Sequence, residues 1–118
     1  MTPYTPSKAA EAALHDILHH IDLAIGFVAD LDDISFKRDI KTVYAAIRCL
    51  EIISEASRRL PDDFKARHSA IPWREMAAAG NRYRHDYEDV AAGRVWETIQ
   101  QGLPLLKEII EQEVGRFS

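Results

Sequence analysis

Cysteine is almost missing from this chain of 118 residues: Cys49 stands alone, which rules out an internal disulfide and any zinc site built on several thiolates. Placed among apolar residues on a helical pattern, it reads as core filler. Glycine and proline are sparse at five each, and no Gly-rich phosphate loop, Cys-x-x-Cys pair or nucleophile elbow is present. No stretch approaches the roughly 20 apolar residues that a bilayer span needs, and Met1 to Ala10 holds no apolar run, so the expected location is the cytoplasm, with no membrane contact. A surplus of positive charge is missing too. The formal net charge is -4, which argues against broad electrostatic adhesion to phosphates and leaves room only for a local contact. No cofactor or metal is called for.

What is present is an ordinary globular composition, 47% hydrophobic and 29% charged, over a length that suits one domain covering residues 1–118. Leu14, Ile17, Leu18, Ile21, Ile25 and Val28 recur at spacings of three and four, which predicts a first helix from Ser7 to Leu31 with one buried stripe. Asp32 to Ser35 supplies turn and capping side chains. Ile40, Val43, Tyr44, Ile47 and Leu50 then repeat the pattern in a second helix reaching about Leu60. Pro61, followed by Asp62 and Asp63, opens a short helix to about His68, and Pro72 opens a third long one to about Asp86. A last helix from near Ala91 buries Val95, Trp96, Ile99, Leu103, Leu106 and Ile110, with a kink expected at Pro104. Period-two alternation and hairpin signals are absent. The expectation is an all-α fold: a four-helix bundle of mostly antiparallel neighbours with an additional short helix, loose only over its first six residues and Gly115 to Ser118.

The chemistry concentrates in Gly80-Asn81-Arg82-Tyr83-Arg84-His85-Asp86-Tyr87. Asn81 and His85 lie four apart and share a helical face, so the amide can orient the imidazole. An imidazole with an unperturbed pKa of about 6.5 exchanges a proton near neutral pH, as cleavage of a phosphodiester requires. A neighbouring guanidinium, from Arg84 or Arg82, can hold a phosphate bidentately. On composition alone His85 could equally be a cation closing a helix, and Tyr87 a packed ring with its hydroxyl in water.

Several blocks in fixed order carry a family resemblance: Asp16-Ile17-Leu18, Leu50-Glu51-Ile52-Ile53-Ser54-Glu55-Ala56, Ile71-Pro72-Trp73-Arg74-Glu75, His85-Asp86-Tyr87 and Val95-Trp96-Glu97-Thr98. Over about His15 to Glu113 the chain resembles HEPN-domain proteins of the HepT type, toxins paired with a minimal nucleotidyltransferase antitoxin. The resemblance implies a HEPN bundle, a homodimer whose two motif helices face a shared cleft, and metal-independent endoribonuclease activity on RNA. It further implies His85 as general base or acid, an arginine stabilising the developing charge, and transfer of AMP to Tyr87 as the neutralising step. In the family pattern an arginine stands four to six residues before the histidine. Here that place is held by Gly80. Arg84, on the same face and leaning toward the helix start, is one candidate to cover the gap, and Arg82 another. The alternative is a catalytically silent HEPN subunit that binds a nucleotidyltransferase without cleaving RNA.

Other residues attract attention with less behind them. His15, His19 and Asp22 have a spacing that suits a metal, but solvent-facing histidines beside the core stripe are the simpler account. Glu55 is placed to pair with an arginine of the motif helix or, more simply, with a neighbour on its own helix. Trp73 and Trp96 read as core or interface anchors.

Overall fold

The computed structural model describes residues 7–85 and 88–117, without the side chains of residues 84–89 and Phe117. All of its regular structure is helical. Helix α1, Lys8–Val28, starts where the Ala10 amide donates to the Ser7 hydroxyl at 3.1 Å. It stops three residues short of the expected Leu31, in a turn closed by the Leu31 amide on the Val28 carbonyl.

The segment expected to supply turn and capping side chains does cap, but it opens a short helix of its own ahead of the expected one. Asp32 and Ser35 form a reciprocal capping box, each side chain accepting the other's backbone amide at 2.8 and 2.9 Å, and open the short helix α2, Asp33–Arg38. The Asp32 and Asp39 side chains thus stabilise two successive helix starts, because Asp39 ends α2 and caps α3, Ile40–Arg58, through the Thr42 hydroxyl and amide. These acceptor bonds hold the carboxyls of Asp32 and Asp39 below the ordinary aspartate value. The bonds suit the positive end of a helix.

Helix α4, Asp62–Arg67, follows Pro61 with two aspartates in its first turn. Helix α5 spans Trp73–His85 and α6 spans Glu88–Glu97, with α6 beginning three residues before Ala91. A π-helical turn at Thr98–Gly102 leads into α7, Leu103–Phe117. Proline lacks the N–H that would bond the carbonyl four residues back and its ring crowds that carbonyl. The wide turn just before Pro104, in which the Leu103 amide reaches the Thr98 carbonyl, absorbs the misfit. The helix then continues through Gly115 to Phe117, past the point where a loose end was expected.

Helix α3 is the spine: α1 packs along one side, α5 along another, and α1 is also covered by α7. Leu14, Ile17 and Ile21 of α1 meet Val43, Ala46, Leu50 and Ile53 of α3 and Val95, Ile99, Leu106 and Ile110 of the C-terminal helices in one buried cluster. The predicted stripe of α3 needs correction at its start, since Ile40 and Tyr44 are 52% and 58% exposed. The face that packs runs through Val43, Ala46, Leu50, Ile53 and Ala56, where alanines let α1 approach closely. Trp96 packs on Phe36 of α2. Cys49 is buried, and burial pushes its thiol pKa up, which suits a filler and not a reactive group.

One buried charge ties α4 to α7. Glu113 is 1% exposed, and its Oε1 accepts from His68 Nε2 at 2.8 Å, Arg67 Nη1 at 2.9 Å and Arg116 Nη1 at 3.2 Å. No helix among the described residues is long and apolar enough to cross a membrane.

Candidate functional site

Helix α5 carries the motif, and its start is fixed before the motif begins. The Trp73 indole N–H is shared between the carbonyls of Lys65 at 3.2 Å and His68 at 3.0 Å. Its ring meets Phe64 edge-on at 5.7 Å between centroids. These bonds tie the start of α5 to the end of α4, and α5 packs along α3.

Along α3 the two helices run antiparallel and close. The Ser54 hydroxyl donates to the Ala77 carbonyl at 3.0 Å, and Arg58 Nη2 donates to the same carbonyl at 2.6 Å. One turn later comes Gly80, buried. A Cβ placed there would lie 3.4 Å from Ser54 Oγ, 3.6 Å from Ser54 Cβ and 3.8 Å from the Glu51 Cα. These are ordinary van der Waals distances, so a side chain's first carbon fits there, and position 80 borders the recess between the two helices.

Beside that contact lies a polar recess of about 340 Å³, with Arg48, Glu51 and Glu55 on the α3 wall and Gly80 and Asn81 on the α5 wall. Glu55 pairs with Arg58 of its own helix at 3.6 Å, the simpler of the two roles foreseen for it. Arg82 points elsewhere. It lines a larger, mainly apolar groove of about 540 Å³ between α5 and the C-terminal helices, together with Arg94, Met76 and Leu103. Tyr83, buried, lines the same groove, its hydroxyl 3.5 Å from Thr98 Oγ1.

Of the residues singled out in the sequence, Asn81 therefore borders the recess and Arg82 the groove, on different sides of α5. His85 is the last residue of α5, and its side chain, with that of Arg84, lies outside the described residues. Tyr87 lies outside them altogether. Among the described residues no group of three or more His, Cys, Asp or Glu side chains is placed to hold a metal, and His15 and His19 are exposed on α1. Sequence reasoning passed over Arg58 and Arg48, and quoted Ser54 only within a block of the family resemblance. They sit on another helix, and nothing in the local pattern of α3 distinguishes the two arginines from other surface residues.

With this geometry in place, the family can be stated. A family model for HepT-like ribonucleases matches residues 17–113, and the chain belongs to that family. It is 41% identical over 99 residues to a protein of Thermococcus cleftensis named "Probable ribonuclease HepT", covering 84% of this chain and 90% of that one. It is 36% identical over 107 residues to a candidate RNase of Methanocaldococcus jannaschii, MJ0125, covering 91% and 92%. A candidate RNase of Caldanaerobacter subterraneus, TTE0752, is 34% identical over 110 residues, covering 90% and 98%. No solved structure matches the chain significantly.

Proposed function

We propose that this chain is a metal-independent endoribonuclease, the toxin of a HepT-type toxin-antitoxin pair, acting in the cytoplasm as a homodimer of one HEPN domain per chain. The observation that carries the reading is a family match running through 97 residues, 17 to 113, with the His85-Asp86-Tyr87 triplet inside it. His85, at the end of α5, takes the proton of an RNA 2′-hydroxyl as that oxygen attacks the adjacent phosphorus. The 5′-oxygen of the next nucleotide leaves with a proton, and a cyclic phosphate remains. Arg84 steadies the phosphate oxygens and Asn81 orients the imidazole, while Arg82, the other arginine considered, lines the groove on the opposite side of α5 from Asn81. The partner nucleotidyltransferase silences the site by transferring AMP from ATP to the Tyr87 hydroxyl, releasing pyrophosphate. The added negative charge and bulk then compete with RNA for the same arginines.

A second reading, a HEPN subunit that binds the nucleotidyltransferase but does not cleave, is favoured by one feature: Gly80 holds the place of the family's arginine. A missing donor of this kind lowers a rate by about 100-fold to 1000-fold. The test compares wild type, His85→Ala and Gly80→Arg on labelled RNA in chelator. Cleavage by wild type that disappears in His85→Ala supports the ribonuclease. Cleavage that appears only in Gly80→Arg means a decayed site, and the second reading holds.

A further inference from the structure

Resting on the ribonuclease reading, we propose that Arg48 of α3 supplies, across the α3–α5 contact, the phosphate-binding guanidinium that position 80 of α5 lacks. The argument begins with register. Ser54 lies against Ala77, and Glu51 against Gly80, so each step of three residues back along α3 matches three forward along α5. The next step sets Arg48 level with positions 83 and 84, beside the last turn of α5 before His85.

The recess between the helices is open at the point where glycine leaves it unfilled, and Arg48 stands on its opposite wall. Three arginines border this space, but two are engaged. Arg58 is held by the Ala77 carbonyl at 2.6 Å and by Glu55 at 3.6 Å, and Arg59 by Asp16 at 3.1 Å. Arg48 is exposed and makes no hydrogen bond or ion pair among the described residues. The carboxylates on the same wall, Glu51 and Glu55, keep the recess from attracting anions indiscriminately. A single cation offered there selects one phosphate in a defined position, and planar donors hold its oxygens in pairs. This fits a chain whose net charge is negative and whose contact with RNA must be local.

The experiment uses a fluorescent 2′-O-methyl oligoribonucleotide, which cannot be cleaved because its attacking hydroxyl is blocked, together with a cleavable RNA of the same sequence. Arg48→Ala should weaken binding of the blocked oligonucleotide roughly tenfold, the loss of one charged hydrogen-bonding contact. It should also flatten the dependence of log affinity on log salt by about 0.7. Arg38→Ala, which removes an exposed cation from α2, should change neither. On cleavable RNA, Arg48→Ala should lose about 100-fold in rate, and Gly80→Arg in that background should restore most of it, since a side chain at position 80 opens into the same recess. Arg48→Ala binding and salt dependence equal to those of Arg38→Ala would overturn the proposal, as would an absence of rescue by Gly80→Arg. Wild type that binds the blocked oligonucleotide through Arg48 yet cleaves nothing would sink the ribonuclease reading and leave the phosphate contact standing.

Discussion

Replacing Glu113 by glutamine should destabilise the fold by about 2 kcal/mol, and the size follows from its surroundings. One oxygen accepts from three donors, His68, Arg67 and Arg116, and charged hydrogen bonds contribute about 1.5–3 kcal/mol each when shielded. Two of the donors are not shielded: the Arg67 and Arg116 side chains are 36% and 52% exposed, so water screens most of their share. Against the gain stands Oε2, buried without a hydrogen-bond partner among the described residues, at a cost of about 1–3 kcal/mol. Glutamine keeps the shape and one acceptor, loses the charge and leaves the buried second atom unsatisfied, so only the charged part of the cluster is removed. For a chain of this size the loss corresponds to a fall in Tm of roughly 8 °C, measured at fixed protein concentration because self-association would shift it.

The pH dependence is a sharper check. Burial opposes ionisation of Glu113, but the hydrogen bond from His68 and the charges of Arg67 and Arg116 outweigh it and hold the carboxyl below the ordinary glutamate value of 4.5. A depressed folded-state pKa contributes stability that is complete above about pH 4.5 and disappears as pH falls through the lower folded value. The gap between wild type and Glu113→Gln should therefore be full at pH 7 and close in acid. No gap at pH 7, or one that persists unchanged to pH 3, would refute the account of α4 as a segment held to α7 by this charge.

Three further outcomes follow from the packing and the proposed site. Ile17→Ala, at a fully buried position of α1, should cost about 3 kcal/mol and lower the urea midpoint without changing the slope. Trp73→Phe keeps the ring contact with Phe64 but forfeits the indole N–H that two carbonyls share. It should cost about 1 kcal/mol, read as a Tm shift, with a larger fall in motif-helix amide protection than in that of α1. Tyr87→Phe should abolish AMP transfer by the partner nucleotidyltransferase, seen as the missing mass increment, while RNA cleavage survives. An adduct on another residue would remove Tyr87 from the regulatory scheme.

The bundle was legible in the chain because helices announce themselves locally. Leu14, Ile17 and Ile21 share a face by arithmetic alone, and Pro61 and Pro72 mark helix starts through their backbones and Ser7 through its hydroxyl. Where expectation failed, two local patterns were each physically sound and only packing chose between them. Asp32 and Ser35 could close a turn or open a helix, and α2 forms because Phe36 finds a buried place against Trp96. Ile40 and Tyr44 look like core on a hydrophobicity scale. Their exposure follows from Ala46 and Ala56, whose small side chains set the face on which α1 sits.

The candidate site divides along the same line. Asn81 and His85 are found by spacing on one segment, since residues four apart on a helix share a side, whereas Gly80 and Tyr87 stand out only through the family resemblance. That Gly80 lies against Ser54 and Glu51, that Arg82 faces a different space from Asn81, and that Arg48 stands across the recess without an ion pair among the described residues depend on residues 23 to 35 positions apart in the chain being brought to the same height. No local pattern encodes that height. It is decided by the packing of α5 along α3, where the Ser54 hydroxyl meets the Ala77 carbonyl.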